Sequence, residues 1–444
     1  MITDSEIQLV RKVLDFARES GADKARATLS VSSEDLVATL NSEVDRITHC
    51  FDRSMNISLF VDGRFGSFST NKLTEEALKE FVGKAADTVR MLAPDECRNL
   101  PSRERCCREA LTGDELGIVD SGRDGISPGK RCEIALAASV FTAPTASGIR
   151  IISEEGEYSD SSFDTLIMDS EGLKCLHSET SFDYGVEVTV EADGEKYSGY
   201  GWDSSAKAAG LDARSCGIEA LKRACAQIGA GPAESGKYNM VIDREVASKV
   251  VSPILRALNA YSLQQNNSFL MASLGKKVFP EALTIMDLPH IKGQTCSKLF
   301  DSEGVRTVEG PIIEKGVVKQ YFVNTYMSAK MGITPTIEDT TRPAVMPWPR
   351  PGLDRDAIMR MCGSGILVTD FNGGNSNSAT GDFSYGIEGF LFEDGKIVRP
   401  VSEMLVTGNF LSLWNNIIAA GEDFRACMSK LIPTLAFANV DFSG

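Results

Sequence analysis

Histidine is nearly absent. The 444 residues hold three, His49, His177 and His290, and no two are close in sequence. A metal centre built from paired imidazoles on one helix is therefore excluded. None of the 11 cysteines forms a C-x-x-C pair, and the neighbours Cys106 and Cys107 lack a second pair to complete a zinc cage. No run of about 18 apolar residues occurs, so no membrane-spanning helix is expected. The opening Met1-Ile2-Thr3-Asp4-Ser5-Glu6 has no basic region followed by an apolar stretch, and no signal peptide is read there. Cations are in deficit: Lys+Arg 46 against Asp+Glu 62 leaves a net charge of −16. Phosphate-driven nucleic-acid binding needs clustered cations, so direct nucleic-acid recognition is not expected.

What remains is an ordinary globular composition, 42% hydrophobic and 24% charged, on a chain longer than one core usually serves. The odd, scattered cysteines read as small hydrophobes in a reducing compartment, which points to the cytoplasm. Cys225 fits this, on the apolar stripe of a predicted helix.

The periodicities indicate an α+β fold. A helix capped by Asp4 or Ser5 carries Ile7, Val10, Val13, Leu14 and Ala17, and Gly21 stands where a helix ends. Strands follow at 25–31, 36–40 and 57–61, with Asp62-Gly63 as a hairpin turn. An amphipathic helix spans about 74–92. Residues 1–93 thus read as a helix–antiparallel sheet–helix module. The polar segment 94–127 reads as a connector. The middle region, 128–230, holds a helix opened by Ser127-Pro128, strands near 149–153, 163–168, 184–190 and 197–202, and a helix to Gly229. Residues 231–444 hold short strands with turns at Lys315-Gly316 and Asp394-Gly395, expected to form a β-rich, barrel- or sandwich-like C-terminal domain. A strand is read at 319–323 and a helix at 411–419.

No catalytic constellation stands alone. Gly125-Ile126-Ser127-Pro128-Gly129 has the letters of a nucleophile elbow, but a polar segment precedes it, and Ser127 reads as a helix cap. Ser384 reads as a polar residue on a strand edge. Cys175 and His177 share a strand face at period two, which reads as coincidence. Asp301 and Glu303, beside Gly304, read as a turn bonding backbone amides. The loop 372–378 lacks the G-K-[ST] ending of a phosphate cradle. It reads as a long mobile loop or as the lining of a groove.

The stretch Thr380-Gly381-Asp382-Phe383-Ser384-Tyr385-Gly386-Ile387-Glu388-Gly389, with Pro400-Val401-Ser402-Glu403 and Thr407-Gly408-Asn409-Phe410, resembles the signature of the TldD/PmbA family. Ser268-Phe269-Leu270, Ser273-Leu274-Gly275 and 300–307 resemble its PmbA (TldE) branch, and 61–67 is also similar. The resemblance implies a heterodimeric metallopeptidase acting on leader or unstructured peptides, including a microcin precursor and an antitoxin, with the older name modulator of DNA gyrase. It implies that the TldD-type subunit carries zinc through H-E-x-x-x-H and a cysteine, and that this branch lacks the motif. The implied metal helix falls near 252–257, with Ser252, Pro253 and Ala257 at the His, Glu and His positions.

Two imidazoles are missing there, so no zinc-activated water is expected from this chain. Ser252-Pro253 reads as a helix cap with a first-turn proline, and Cys427 as a buried thiol. The proline-dense 341–351, with Trp348, reads as a stiff loop in preference to a rigid recognition surface. No catalytic, metal-ligating or substrate-binding residue is assigned. No cofactor is expected in this chain, and zinc only in a TldD-type partner. The expected partners are that zinc subunit and an extended peptide, with a homodimer of the isolated chain left open. The expected role is structural and substrate-positioning. Two alternatives stay open: a non-proteolytic binder of gyrase or an antitoxin, and a metal-free cysteine hydrolase.

Overall fold

The computed structural model describes residues 1–444 and divides the chain into two compact units. The first comprises Met1–Arg223, His290–Thr307 and Asn324–Glu338. The second comprises Ala224–Pro289, Val308–Val323 and Asp339–Gly444. The chain is α+β, as its periodicities imply.

In the first unit, helix α1 (Asp4–Glu19) opens with Thr3 as its cap, one residue before the expected position. The Thr3 hydroxyl accepts the Glu6 N–H, and the Glu6 carboxylate accepts the Thr3 N–H at 2.7 Å. This reciprocal box satisfies two orphan donors, which Asp4 or Ser5 alone would not do. Strands β1 (Lys24–Leu40), β2 (Glu43–Val61), β3 (Arg64–Thr70), β4 (Ile149–Asp169), β5 (Lys174–Ala192) and β6 (Glu195–Ser205) form one antiparallel sheet, ordered β3-β2-β1-β4-β5-β6. Helix α2 (Glu75–Arg90) packs beside α1 on it. Val13, Leu29, Ile57, Leu59, Val82 and Leu166 are fully buried in the resulting core.

The strands are much longer than their alternating segments. The outer part of β2 is exposed on both faces, so nothing there alternates. Periodicity reports one-sided burial and is silent about a strand wet on both sides. The β1–β2 turn is equally silent: Asn41 and Ser42 take positive φ (48° and 71°) without a glycine. Asp62-Gly63 behaves as expected, with φ of 49° and 69°.

Residues 94–127 contribute to this unit's core. Leu100, Cys107, Ala110, Leu116 and Ile118 are buried. Strand β6 pairs only with Phe182–Ala192 of β5. Along the rest of β5, Leu176, Ser178 and Thr180 donate their N–H groups to the carbonyls of Ala110, Gly113 and Ile118. The polar segment therefore acts as the missing neighbour strand. Helix α3 (Pro128–Ala137) begins at the Ser127 cap, whose side chain accepts the Lys130 N–H at 3.2 Å. Between them lies a buried ionic knot. Asp160, fully buried, sits 2.8 Å from Arg123 Nε and 2.6 Å from Arg131 Nε, and accepts the Tyr158 hydroxyl at 3.0 Å. Asp35 reaches both guanidinium groups, at 3.1 and 3.0 Å.

In the second unit, β7 (Gly236–Ile242) leads to helix α4 (Ser248–Ala257). A small sheet of β8 (Ile285–Asp287), β9 (Gly310–Glu314), β10 (Val317–Val318) and β11 (Pro343–Val345) follows, ordered β10-β9-β8-β11. The strand read at 319–323 thus falls earlier, at β10. The proline-dense segment is partly strand rather than loop. Pro343 opens β11 at the sheet edge, where a missing N–H costs no ladder bond.

The larger sheet contains β12 (Gly365–Asp370), β13 (Asn375–Ser376), β14 (Asp382–Glu393), β15 (Lys396–Asn409), β16 (Ile417–Ala420) and β17 (Leu435–Ser443). The path β12-β7-β17-β15-β14 returns to β12, so five strands close a barrel. At the closure Gly389 is obligatory: a Cβ there would meet the Leu367 carbonyl oxygen at 1.9 Å. Leu353, Ile358, Leu367, Phe392 and Ala436 are among the residues of the core formed there. The helix read at 411–419 stops at Asn415, and β16 takes over at Ile417.

Candidate functional site

The second unit holds a cleft of about 440 Å³. One wall is the exposed side of α4. Val250, Val251, Ile254 and Leu255 face the core, while Lys249, Ser252, Pro253 and Arg256 line the cleft at i, i+3, i+4 and i+7. The helix begins at Ser248, so Ser252 is not its cap and Pro253 is interior. The start lies upstream because Asp243 organises a turn there: its carboxylate accepts the Glu245 N–H at 3.0 Å, and its carbonyl accepts those of Val246 and Ala247. Pro253 has no N–H to offer the Lys249 carbonyl one turn back.

The opposite wall is Asp370, Phe371 and the glycine-rich loop with Tyr385 of β14. The loop is strand-paired: Asn375 lies opposite Ser384 and Ser376 opposite Phe383. Of its two readings, the groove lining describes its place. Gly374 has φ +90°, and a Cβ there would meet the Ser384 carbonyl oxygen at 2.1 Å. Gly374→Ala is expected to cost more than about 1 kcal/mol. Gly373→Ala, at φ +118° with open space, bears the backbone penalty alone. Thermal melts of the two variants check this, and equal losses would remove the steric account.

Aromatic contacts continue inward. Lys249 Nζ lies 4.6 Å from the Tyr385 ring centre, Phe371 meets Tyr385 edge-on at 5.6 Å, and Phe383 stacks between Tyr385 and Phe410. The polar signature residues act as fasteners. Asp382 accepts from the Thr380 hydroxyl (2.6 Å) and the Asn409 amide (2.9 Å), which hold its carboxyl below the usual range. Asn409 Oδ1 also accepts the Leu411 N–H at the start of Phe410–Asn415.

No zinc-type donor set faces this cleft. Ser252 and Pro253 line it, whereas Ala257 is buried. A hydroxyl and a proline ring cannot replace two imidazoles and a general-base carboxylate, so these residues do not fit the zinc. No group of three or more His, Cys, Asp or Glu in the chain could hold a metal ion. Each histidine is engaged elsewhere: His49 with Asp35 at 2.9 Å, His177 with Glu179 at 3.2 Å, His290 with Thr307 at 2.7 Å. Cys427 is partly exposed, not the buried thiol expected, and Cys225 is likewise only half-buried. Cys175 donates to the Cys107 carbonyl, and its contact with the Cys107 thiol together with burial raises its own thiol pKa. A thiolate nucleophile needs the opposite shift.

Three family descriptions match this chain. The PmbA/TldA metallopeptidase domain 1 covers residues 27–88, the central domain 124–228 and the C-terminal domain 235–444. The chain belongs to the PmbA/TldD metallopeptidase family. Among the family's curated proteins, Metalloprotease PmbA of Escherichia coli is 27% identical, with 98% of each chain covered. A Metalloprotease PmbA homolog of Haemophilus influenzae is 29% identical over 94% of this chain and 91% of its own. A Bacteroides thetaiotaomicron structure described as a modulator of DNA gyrase superposes with TM-score 0.94 at 37% identity, covering both chains fully. TldE of Thermococcus kodakarensis, at 18% identity, shares the fold with TM-score 0.84, covering 98% of this chain and all of its own. No helix here is long and apolar enough to cross a membrane. Sequence reasoning located α4 through the PmbA/TldD resemblance. It assigned no role to Lys249, Arg256, Phe371 and Tyr385, although Lys249 and Arg256 share a helical spacing with Ser252 and Tyr385 stands within the signature stretch.

Proposed function

We propose that this chain is the metal-free subunit of a TldD/TldE-type heterodimeric peptidase acting on small or unstructured peptides. One observation carries the reading: the helix face at the implied zinc position presents Ser252 and Pro253 to the cleft, with Ala257 buried. Zinc and its activated water belong to the TldD-type partner. This chain's part is to hold an extended peptide, with the cleft between α4 and the 370–376 segment as its contact surface. The lining, with Phe371 and Tyr385 and with Lys249 and Arg256 offset by Glu245 and Asp370, suits backbone and side-chain contacts with an unfolded segment better than chemistry on it.

The purified chain is expected to carry no stoichiometric zinc and to leave β-casein, an unstructured probe, intact. Adding a cognate TldD-type subunit is expected to produce cleavage that a chelator stops. Metal analysis and cleavage assays on each subunit and on the complex decide the matter. Tight zinc, or chelator-sensitive hydrolysis by the lone chain, would overturn the reading.

A further inference from the structure

Two thiols in the core of the first unit have no part in the functional reading. Cys107 lies on the segment 94–127 and Cys175 on β5, which that segment accompanies. All 11 cysteines are free, and the sulfurs of these two are in contact. The Cys175 thiol also donates to the Cys107 carbonyl at 3.4 Å. Ile167, Leu173 and Phe300 pack around the pair. The backbone is anchored on both sides of the meeting point. Cys107 donates its N–H to the Gly304 carbonyl, and Leu176 donates to that of Ala110, both at 2.9 Å.

The two thiols differ in character. The Cys175 thiol, and then the N–H groups of Glu109 and Ala110, hold the Cys107 thiol down to about 7 against the cost of burial. Contact with Cys107 and burial push Cys175 the other way. A thiolate beside a protonated thiol is the pairing that oxidation uses: one sulfur attacks the oxidant, and the other resolves the product. Access selects the oxidant. Cys107 is 3% exposed and Cys175 0%. Exchange with another disulfide passes through a mixed disulfide, whose carried group finds no room there. Hydrogen peroxide is scarcely larger than water. Cys106, next in the chain and half-buried, is the competing thiol.

We propose that Cys107 and Cys175 are a modification site for hydrogen peroxide, which closes them into a disulfide. The Cys107 thiolate attacks one peroxide oxygen. An S–O bond forms, the O–O bond breaks, and the departing hydroxide takes up the proton lost by the Cys107 thiol to leave as water. Cys175 then attacks the Cys107 sulfur, and its own proton goes to the sulfenic hydroxyl, which leaves as a second water. Two thiols and one peroxide become one disulfide and two waters. The link staples 94–127 to β5. It is independent of the peptidase reading.

Non-reducing peptide mapping by mass spectrometry tests it on the full chain, after hydrogen peroxide treatment and alkylation of the remaining thiols. A Cys107–Cys175 link that dithiothreitol reverses is expected. Its rate should rise about tenfold per pH unit below pH 7 and level off above it, following the Cys107 thiolate. Glutathione disulfide at equal concentration should form the link about tenfold more slowly or less. Cys175→Ser should stop the reaction at a sulfenic acid on Cys107 that dimedone captures. The wild-type map decides the matter even where that variant folds poorly. Peroxide that oxidises the exposed Cys50 while Cys107 and Cys175 stay as thiols would overturn the proposal. So would a link from Cys175 to Cys106, a rate indifferent to pH, or glutathione disulfide acting as fast as peroxide.

Discussion

Asp160→Ala is expected to lower the unfolding free energy by about 3–5 kcal/mol, the usual cost of deleting one partner from a buried charge cluster. The substitution leaves the Arg123 and Arg131 side chains, 4% and 8% exposed, without the carboxylate between them. It also removes the acceptor of the Tyr158 hydroxyl. Asp35 remains within reach of both guanidinium groups, but it cannot take over both sets of contacts. The cost lies in stranded charge rather than in a lost attraction, so a neutral replacement does not relieve it. Asp124 provides the internal control. It too contacts Arg123, at 3.4 Å, but is 93% exposed. Asp124→Ala is expected to stay within about 0.5 kcal/mol of the wild type. Urea unfolding of both variants measures the contrast, and comparable losses would show that burial of the knot is not what matters.

The second large effect depends on pH. Asp301 is pushed up to about 7, chiefly by burial and then by the neighbouring Glu338 and Glu303 carboxylates. Its oxygens accept the N–H groups of Glu303, Val305 and Glu338, at 2.9, 2.9 and 3.3 Å. An unfolded aspartate titrates near pH 3.9. Between about pH 4 and 7 the folded chain therefore retains a proton that the unfolded chain has released. Stability through this group is fully present below the unfolded value and falls as pH rises toward 7. The loss is of the order of a few kcal/mol. Carboxylates with lowered pKa, such as Glu115 and Glu179, act at more acid pH and are spent by pH 5. The Cys107 thiol, lowered to about 7, also titrates at the upper end of the window from about pH 5 to 7.5, so the contribution of Asp301 is the difference there between the wild type and Asp301→Asn. Unfolding free energies across that window should decline in the wild type and flatten in Asp301→Asn. Parallel profiles would mean that Asp301 ionises normally in the folded chain.

Local chemistry made parts of this architecture readable in advance. Asp62-Gly63, Lys315-Gly316 and Asp394-Gly395 all take the positive φ values that their residues permit. Ser127-Pro128 opens its helix for the same kind of local reason. What escaped is non-local. Arg123, Arg131 and Asp160 lie on separate elements, and a lone arginine in a polar segment looks solvated. The segment 94–127 looks like a connector because its few apolar residues are spaced for neither a helix nor a two-sided strand. Its regularity comes from β5, which it accompanies. The reading of Ser252-Pro253 as a helix start failed because Asp243 organises the chain several residues earlier. The cleft joins α4 to a loop more than 100 residues away in sequence, and no local pattern reports that pairing.

The closed barrel has a kinetic consequence. Strand β17 lies between β7 and β15, and Leu435 is paired with Ile242 across most of the unit. Until β17 is in place, β7 and β15 each present a bare edge and the barrel interior has no fifth wall. Ring closure over so long a span is entropically slow, whereas the β1–β2 and β4–β5 hairpins join neighbours in sequence. During synthesis the second unit must wait for its last strand, and in that interval its apolar interior is open to intermolecular capture.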